Sequence, residues 1–274
     1  MAIGPAISFT EMLLIVLMGS GIGVTLGVPP QQPDPVLANI APAQCLYYTT
    51  WVGMVDPDPA SANNTEQLLA EPEIKVFISE LQAIAQQVAG KIGGRGGLNE
   101  QVLAQNIPLL AKMLLTHATA IFIEEVKPQP NGIDARGALV VNLGDDLPQV
   151  QEALKALRQQ IPPQALQEVK VAGISCVRLQ PQPNVPAFTI GFQDPYLIVA
   201  IGEKSFEGVL ERTKNTPPDW LTQAVADVQL PPRPSTLAYV NLEALLKMAG
   251  SLGGPRVQTT LDTLGLSGMT RVVS

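Results

Sequence analysis

Few side chains in this sequence can do chemistry: one histidine (His117), two cysteines (Cys45 and Cys176) and two adjacent acid pairs, Glu124-Glu125 and Asp145-Asp146. A single histidine cannot build a multi-histidine metal site, and no Gly-x-Ser-x-Gly elbow offers it a nucleophile. His117 stands where a helical period gives way to a strand period and reads as a partly exposed boundary residue. Cys176, in Gly173-Ile-Ser-Cys-Val177, would need a lowered pKa to act as a thiol nucleophile beside that histidine. Its apolar, strand-like setting carries no cue for one. Glu124 and Glu125 are neighbours on an expected strand, so they should point to opposite faces and form no carboxylate dyad. Asp145 and Asp146 precede an expected helix and read as its caps. Asp56 and Asp58 lie in an Asp-Pro-Asp-Pro turn without the spacing of a calcium loop. Gly90-Lys-Ile-Gly-Gly-Arg-Gly-Gly97 carries Lys91 and Arg95 among glycines, but lacks the terminal Lys-Ser/Thr of a phosphate loop and is fed by no strand. It reads as a helix–helix connection. Trp51 and Trp220 read as core or rim. No catalytic, cofactor-binding or metal-binding residue is therefore assigned, and no cofactor is expected.

The elements that carry these residues follow from composition and period. The chain has 274 residues, 46% of them hydrophobic and 15% charged, enough for one large domain or two small ones with a sizeable core. Only 4% are aromatic, so aliphatic side chains must fill the interior. The 25 prolines fall mostly between periodic segments and mark short, stiff connections. A formal charge of −7 disfavours nucleic acid and anionic lipid headgroups as partners. Both cysteines sit in apolar runs and are expected as buried thiols, with a disulfide as the alternative.

Met12–Val28 is an uncharged apolar run at the short end of what spans a bilayer. Gly19, Gly23 and Gly27 give it the close-packing face of a retained anchor, Thr25 and Gly27 the small residues of a signal cleavage site, and a buried core helix is the third reading. No Lys or Arg precedes it. Residues 1–28 are expected as a signal peptide or membrane anchor, and 29–41 as a Pro-rich extended tether. Residues 42–229 should form an α+β domain, an antiparallel sheet packed by amphipathic helices. Its first strand lies within Pro42–Trp51. A helix starts at Asn64, restarts at Glu71-Pro72-Glu73 and carries the stripe Ile74, Phe77, Ile78, Leu81, Ile84, Ala85, Val88 and Ile92. A second helix runs from Asn99 to Thr116. Strands Ala118–Val126, Gly137–Leu143, Glu168–Leu179, Ala187–Phe192 and Tyr196–Ile201 follow, with a helix from about Leu147 to Ile161 between the second and third. Their short connections require antiparallel pairing. Further helices contain Phe206 to Thr213 and begin at Asp219-Trp220.

Pro42-Ala-Gln-Cys-Leu-Tyr-Tyr-Thr-Thr-Trp51 is echoed by Pro234-Ser-Thr-Leu-Ala-Tyr-Val-Asn-Leu242, and a helix follows each. Residues 230–274 therefore read as the start of a second, similar unit. Either it completes the first unit's sheet or the chain is a truncated form of a longer protein; the shortness of the unit favours truncation. The two openings, with Asn64-Thr-Glu-Gln-Leu-Leu-Ala-Glu-Pro-Glu-Ile74 and Asn241-Leu-Glu-Ala-Leu-Leu246, resemble those of uncharacterised exported or membrane-anchored bacterial proteins. These form a domain-of-unknown-function family whose units open with Pro-x-x-Leu-x-Tyr. The resemblance implies an extracytoplasmic, repeated α+β domain and no activity. The expectation is a non-catalytic protein with a structural or interaction role at the cell envelope, attached to the membrane through its N-terminal segment and meeting an envelope protein partner. The alternative is a carrier that holds an apolar ligand between sheet and helices.

Overall fold

In the computed structural model the described residues are 33–53, 57–61, 64–77, 106, 109–110, 112–114, 116–129, 132–180, 185–227, 236–248, 263 and 270–273. Their centre is one antiparallel sheet: β1 (Tyr47–Trp51), β2 (Thr119–Gln129), β3 (Gly132–Asn142), β4 (Leu166–Val171), β5 (Ile174–Leu179), β6 (Phe188–Gln193), β7 (Tyr196–Ile201), β8 (Thr236–Val240) and β9 (Val272–Val273). The nine strands lie in the order β4-β5-β6-β7-β3-β2-β1-β8-β9. The α+β class and the antiparallel sheet expected from the short connections are what the structure has.

Period-two alternation gives the sheet two apolar faces, each covered by helices. On one, Tyr48, Phe122, Val140 and Ile198 meet α1 (Pro35–Asn39), α4 (Ser205–Arg212) and α5 (Asp219–Asp227), through Leu37, Phe206, Val209, Leu221 and Ala224. On the other, Val141, Leu143 and Leu197 pack with Val150 of α3 (Leu147–Arg158) and with Met113. The short helix α2 spans Asn64–Ala70, and residues 72–77 are helical too. Phe77, placed by its spacing in the inward stripe of that helix, is exposed. The stripe from Ile78 to Ile92 and the Gly90–Gly97 cluster lie outside the described residues.

Four expectations are corrected. Among the described residues no helix is long and apolar enough to cross a membrane; the Met12–Val28 run on which a transmembrane segment was expected lies outside them. The described part of the expected tether is not extended. Asp34 caps α1 by accepting a hydrogen bond from Val36 N at 2.9 Å, with Pro35 in the first turn, and Leu37, Ile40 and Ala41 enter the core. Glu168–Leu179, expected as one strand, is the hairpin β4–β5. Ala172 and Gly173 between the strands have φ of 49° and 86°, the paired positive values of a tight two-residue turn.

Fourth, the strand expected to open a second unit pairs along its whole length with β1, Tyr47 opposite Val240 and Trp51 opposite Thr236. Without it β1 would present an open row of backbone donors and acceptors, and β8 with β9 alone would be too small to hold a core. The two copies of the Leu-x-Tyr phrase meet tyrosine to tyrosine, Tyr48 facing Tyr239. Trp220 at the start of α5 closes over both, edge-on to Tyr48 with centroids 5.6 Å apart and tilted against Tyr239 at 4.2 Å.

Candidate functional site

A cleft opens where β2 outruns β1. Pairing of the two strands ends at Tyr47 and Ile123, while β2 continues to Gln129 against β3. Just there the β2–β3 register slips: Ile123 faces Gly137 and Glu125 faces Arg136, leaving Glu124 as the extra residue of a β-bulge. The alternation that would separate adjacent side chains is cancelled. Arg136 lies two residues from Ala138 of the α4–α5 face, so Glu125 opposite it turns to that face, and Glu124 on the same side approaches Arg212 of α4. This corrects the expectation of two glutamates on opposite faces.

The segment leading into β1 closes one side. Leu46 N donates to Ile123 O at 2.8 Å and Asn241 N donates to Leu46 O at 2.9 Å, so the chain before β1 is laced between β2 and the end of β8. Residues 242–248 are helical, and the Asn241 carboxamide oxygen accepts from Ala244 N at 3.0 Å at the start of that helix. On the far side Trp220 Nε1 donates to Pro42 O at 2.8 Å, which fixes the indole over the cleft. The cleft is half open to solvent and has a volume of about 520 Å³, with Cys45, Glu124, Glu125, Trp220, Tyr239 and Met248 among its lining.

Charge in the cleft is unevenly satisfied. Glu125 is held by Lys127 at 2.6 Å and by Arg136 at 2.7 Å, and these contacts, the Lys127 hydrogen bond foremost, draw its carboxyl below the usual range. Glu124 has Arg212 Nη1 at 3.8 Å, beyond hydrogen-bond length. Arg212 Nε donates to Ile40 O at 2.8 Å, its guanidinium carbon stands 5.1 Å from the Phe122 ring centroid, and its Nη2 is buried without a hydrogen-bond partner. Burial pushes the Cys45 thiol from 9.0 up to about 12, and the charge of Glu124 adds to the rise. The thiol is therefore protonated at neutral pH and a poor nucleophile. Burial likewise raises the Tyr239 hydroxyl, with Cys45 contributing.

The other chemistry-bearing residues fall elsewhere. His117, partly buried at the helix-to-strand junction where the sequence put it, has Nε2 3.2 Å from Asp146 Oδ2 and Nδ1 3.0 Å from Thr116 Oγ1. Asp146 occupies the N-cap position of α3 but makes no side-chain cap bond; its carboxylate turns to the imidazole instead. Cys176 is buried beside Phe206, over Gly191, and burial raises its pKa as well. His117 and Cys176 are thus held by separate partners. Both cysteines are free. Asp58 accepts from Ala60 N at 2.8 Å, a turn bond, while Asp56 lies outside the described residues. Among the described residues no three His, Cys, Asp or Glu side chains are grouped so as to hold a metal.

Sequence reasoning missed the cleft because it needs β8 beside β1 and the bulge at Glu124. The one local hint was Glu124-Glu125 interrupting an otherwise apolar strand. In comparisons with protein-family models, curated proteins and solved structures, nothing matches the chain.

Proposed function

We propose that this is a non-catalytic recognition protein that holds a small ligand in the cleft between β1, β2, β8 and α5, and that it does so outside the cytoplasm. The observation that carries the proposal is the cleft itself. Its volume of about 520 Å³ falls within the roughly 300–1,000 Å³ of small-molecule sites. It lies between sheet and helices, with an aromatic wall fixed by the Trp220–Pro42 hydrogen bond. The one nucleophile on its wall, Cys45, is kept protonated by burial, which favours binding over thiol catalysis. The acidic charge of the chain, −7, favours ligands other than nucleic acid. The extracytoplasmic setting rests on the uncharged Met12–Val28 run and on the resemblance of the Leu-x-Tyr openings.

The test is a titration of the purified chain with a library of small amphipathic molecules, read by tryptophan fluorescence. Trp220→Phe serves as the control that leaves only Trp51. A saturable change lost in Trp220→Phe is the expected result. Robust turnover in a hydrolase screen, abolished by Glu124→Gln, would make the cleft an active site and overturn the non-catalytic reading. A library without any saturable response would remove the binding role.

A further inference from the structure

We infer that the ligand of the cleft is an organic cation, an ammonium or guanidinium group on an apolar, preferably aromatic body, with Glu124 as its counter-charge. The inference rests on the binding role proposed above and adds the chemical class of ligand.

The two glutamates of the bulge are not equivalent. Glu125 is taken by Lys127 and Arg136 at 2.6 and 2.7 Å. Glu124 lines the cavity with its nearest cation 3.8 Å away. That cation is anchored by its own bond to Ile40 O and its place over Phe122, and at 3.8 Å it offers Glu124 charge but no hydrogen bond. The Glu124 carboxylate thus retains acceptor capacity towards the cavity. A neutral apolar occupant would strip water from that carboxylate and give nothing back, which is costly. An anion would meet the Glu124 carboxylate, with no Lys or Arg among the described lining residues to hold it. A cationic head meets a charge-assisted acceptor. Its apolar body has Trp220, Tyr239 and Met248 to lie against. The bulge is what makes this possible. Without the extra residue in β2, the regular pleat would send one of the two glutamates to the opposite face.

Three probes that share a phenyl body and differ in head-group charge decide it: 2-phenylethylammonium, its neutral isostere 2-phenylethanol, and the anionic phenylacetate. Each is titrated by calorimetry and tryptophan fluorescence into the full chain, its Glu124→Gln variant and its Glu124→Asp variant, with a thermal melt of each to confirm folding. The cation should bind the native chain roughly tenfold or more tighter than the alcohol, the size of one charge-assisted hydrogen bond in a half-exposed site. The preference should collapse to near unity in Glu124→Gln, survive in part in Glu124→Asp, and weaken with added salt. Equal binding of cation and alcohol, or a cation preference unchanged in Glu124→Gln, overturns the ligand class and leaves the binding role standing. If none of the three probes binds while the amphipathic library does, the class is overturned too. If neither the probes nor the library bind, the binding role falls with it.

Discussion

Arg212 is the side chain on which the cleft and the core meet, and replacing it with methionine measures how. Methionine keeps most of the apolar stem, so the change isolates the guanidinium. Three interactions go. The first is the 2.8 Å bond from Nε to Ile40 O, a hydrogen bond from a charged donor worth about 1.5–3 kcal/mol. The second is the stack over Phe122 at 5.1 Å, worth about 0.5–1 kcal/mol at a partly exposed site. The third is the 3.8 Å approach to Glu124, which at that length and exposure contributes below about 1 kcal/mol. Against these stands relief from burying a cation, visible in the downward push that burial exerts on the Arg212 pKa. The net expectation is a loss of about 2–3 kcal/mol, and at about 2–4 °C per kcal/mol for a chain of this size the melting temperature falls by about 5–10 °C. Urea melts at pH 7, followed by circular dichroism, measure it. Arg212→Lys should recover little, because an ammonium lacks the Nε–H that reaches Ile40. A double-mutant cycle with Glu124→Gln should show a coupling under about 1 kcal/mol. A methionine variant within about 0.5 kcal/mol of the native chain, or a lysine variant as stable as the native, would refute the reasoning that the Ile40 bond is the principal tie.

Three further outcomes are expected. A Cβ at Gly137 would lie 2.4 Å from Phe122 O, a backbone atom, so Gly137→Ala should cost about 3 kcal/mol or more and lower the soluble yield. Gly173→Ala, strained at φ +86° but with open space around it, should cost only about 1 kcal/mol; equal urea midpoints for the two would sink the steric argument. Cys45, with its pKa pushed up to about 12, should resist iodoacetamide at pH 8 in the folded chain and react once unfolded in urea. The folded state holds this proton more tightly than the unfolded one. Its contribution is therefore complete below 9.0 and is lost as pH rises towards about 12. Rapid native-state alkylation at pH 8 would contradict that. Tyr48→Phe removes the hydroxyl that donates to Leu37 O at 2.9 Å in the core and should cost about 1–3 kcal/mol in urea melts. An unchanged midpoint would mean that another donor satisfies that carbonyl.

Local signals determined a good deal of this molecule. Alternating apolar residues and short proline-rich connections required antiparallel strands, because a parallel pair needs a long crossover. Apolar runs around Cys45 and Cys176 foretold buried thiols. Asp34-Pro35 was a readable helix start, an N-cap followed by a first-turn proline, and the proline-rich composition around it masked the signal. The Ala172-Gly173 turn was harder to read, since alanine rarely takes a positive φ.

Only the tertiary structure decided the rest. The register slip that puts Glu124 and Glu125 on one face depends on which β3 residues lie opposite, and nothing in the sequence of β2 alone fixes that partner. The turn of Asp146 from its helix end to His117 joins positions 29 residues apart, where the competing bonds are local and the choice is not. Above all, the two Leu-x-Tyr phrases announced a repeat but not its use. Whether the second copy begins a separate body or completes the first is a question of which edge needs covering. The open edge of β1 supplies the answer, by placing Tyr239 beside Tyr48 under Trp220 and so building the wall of the cleft.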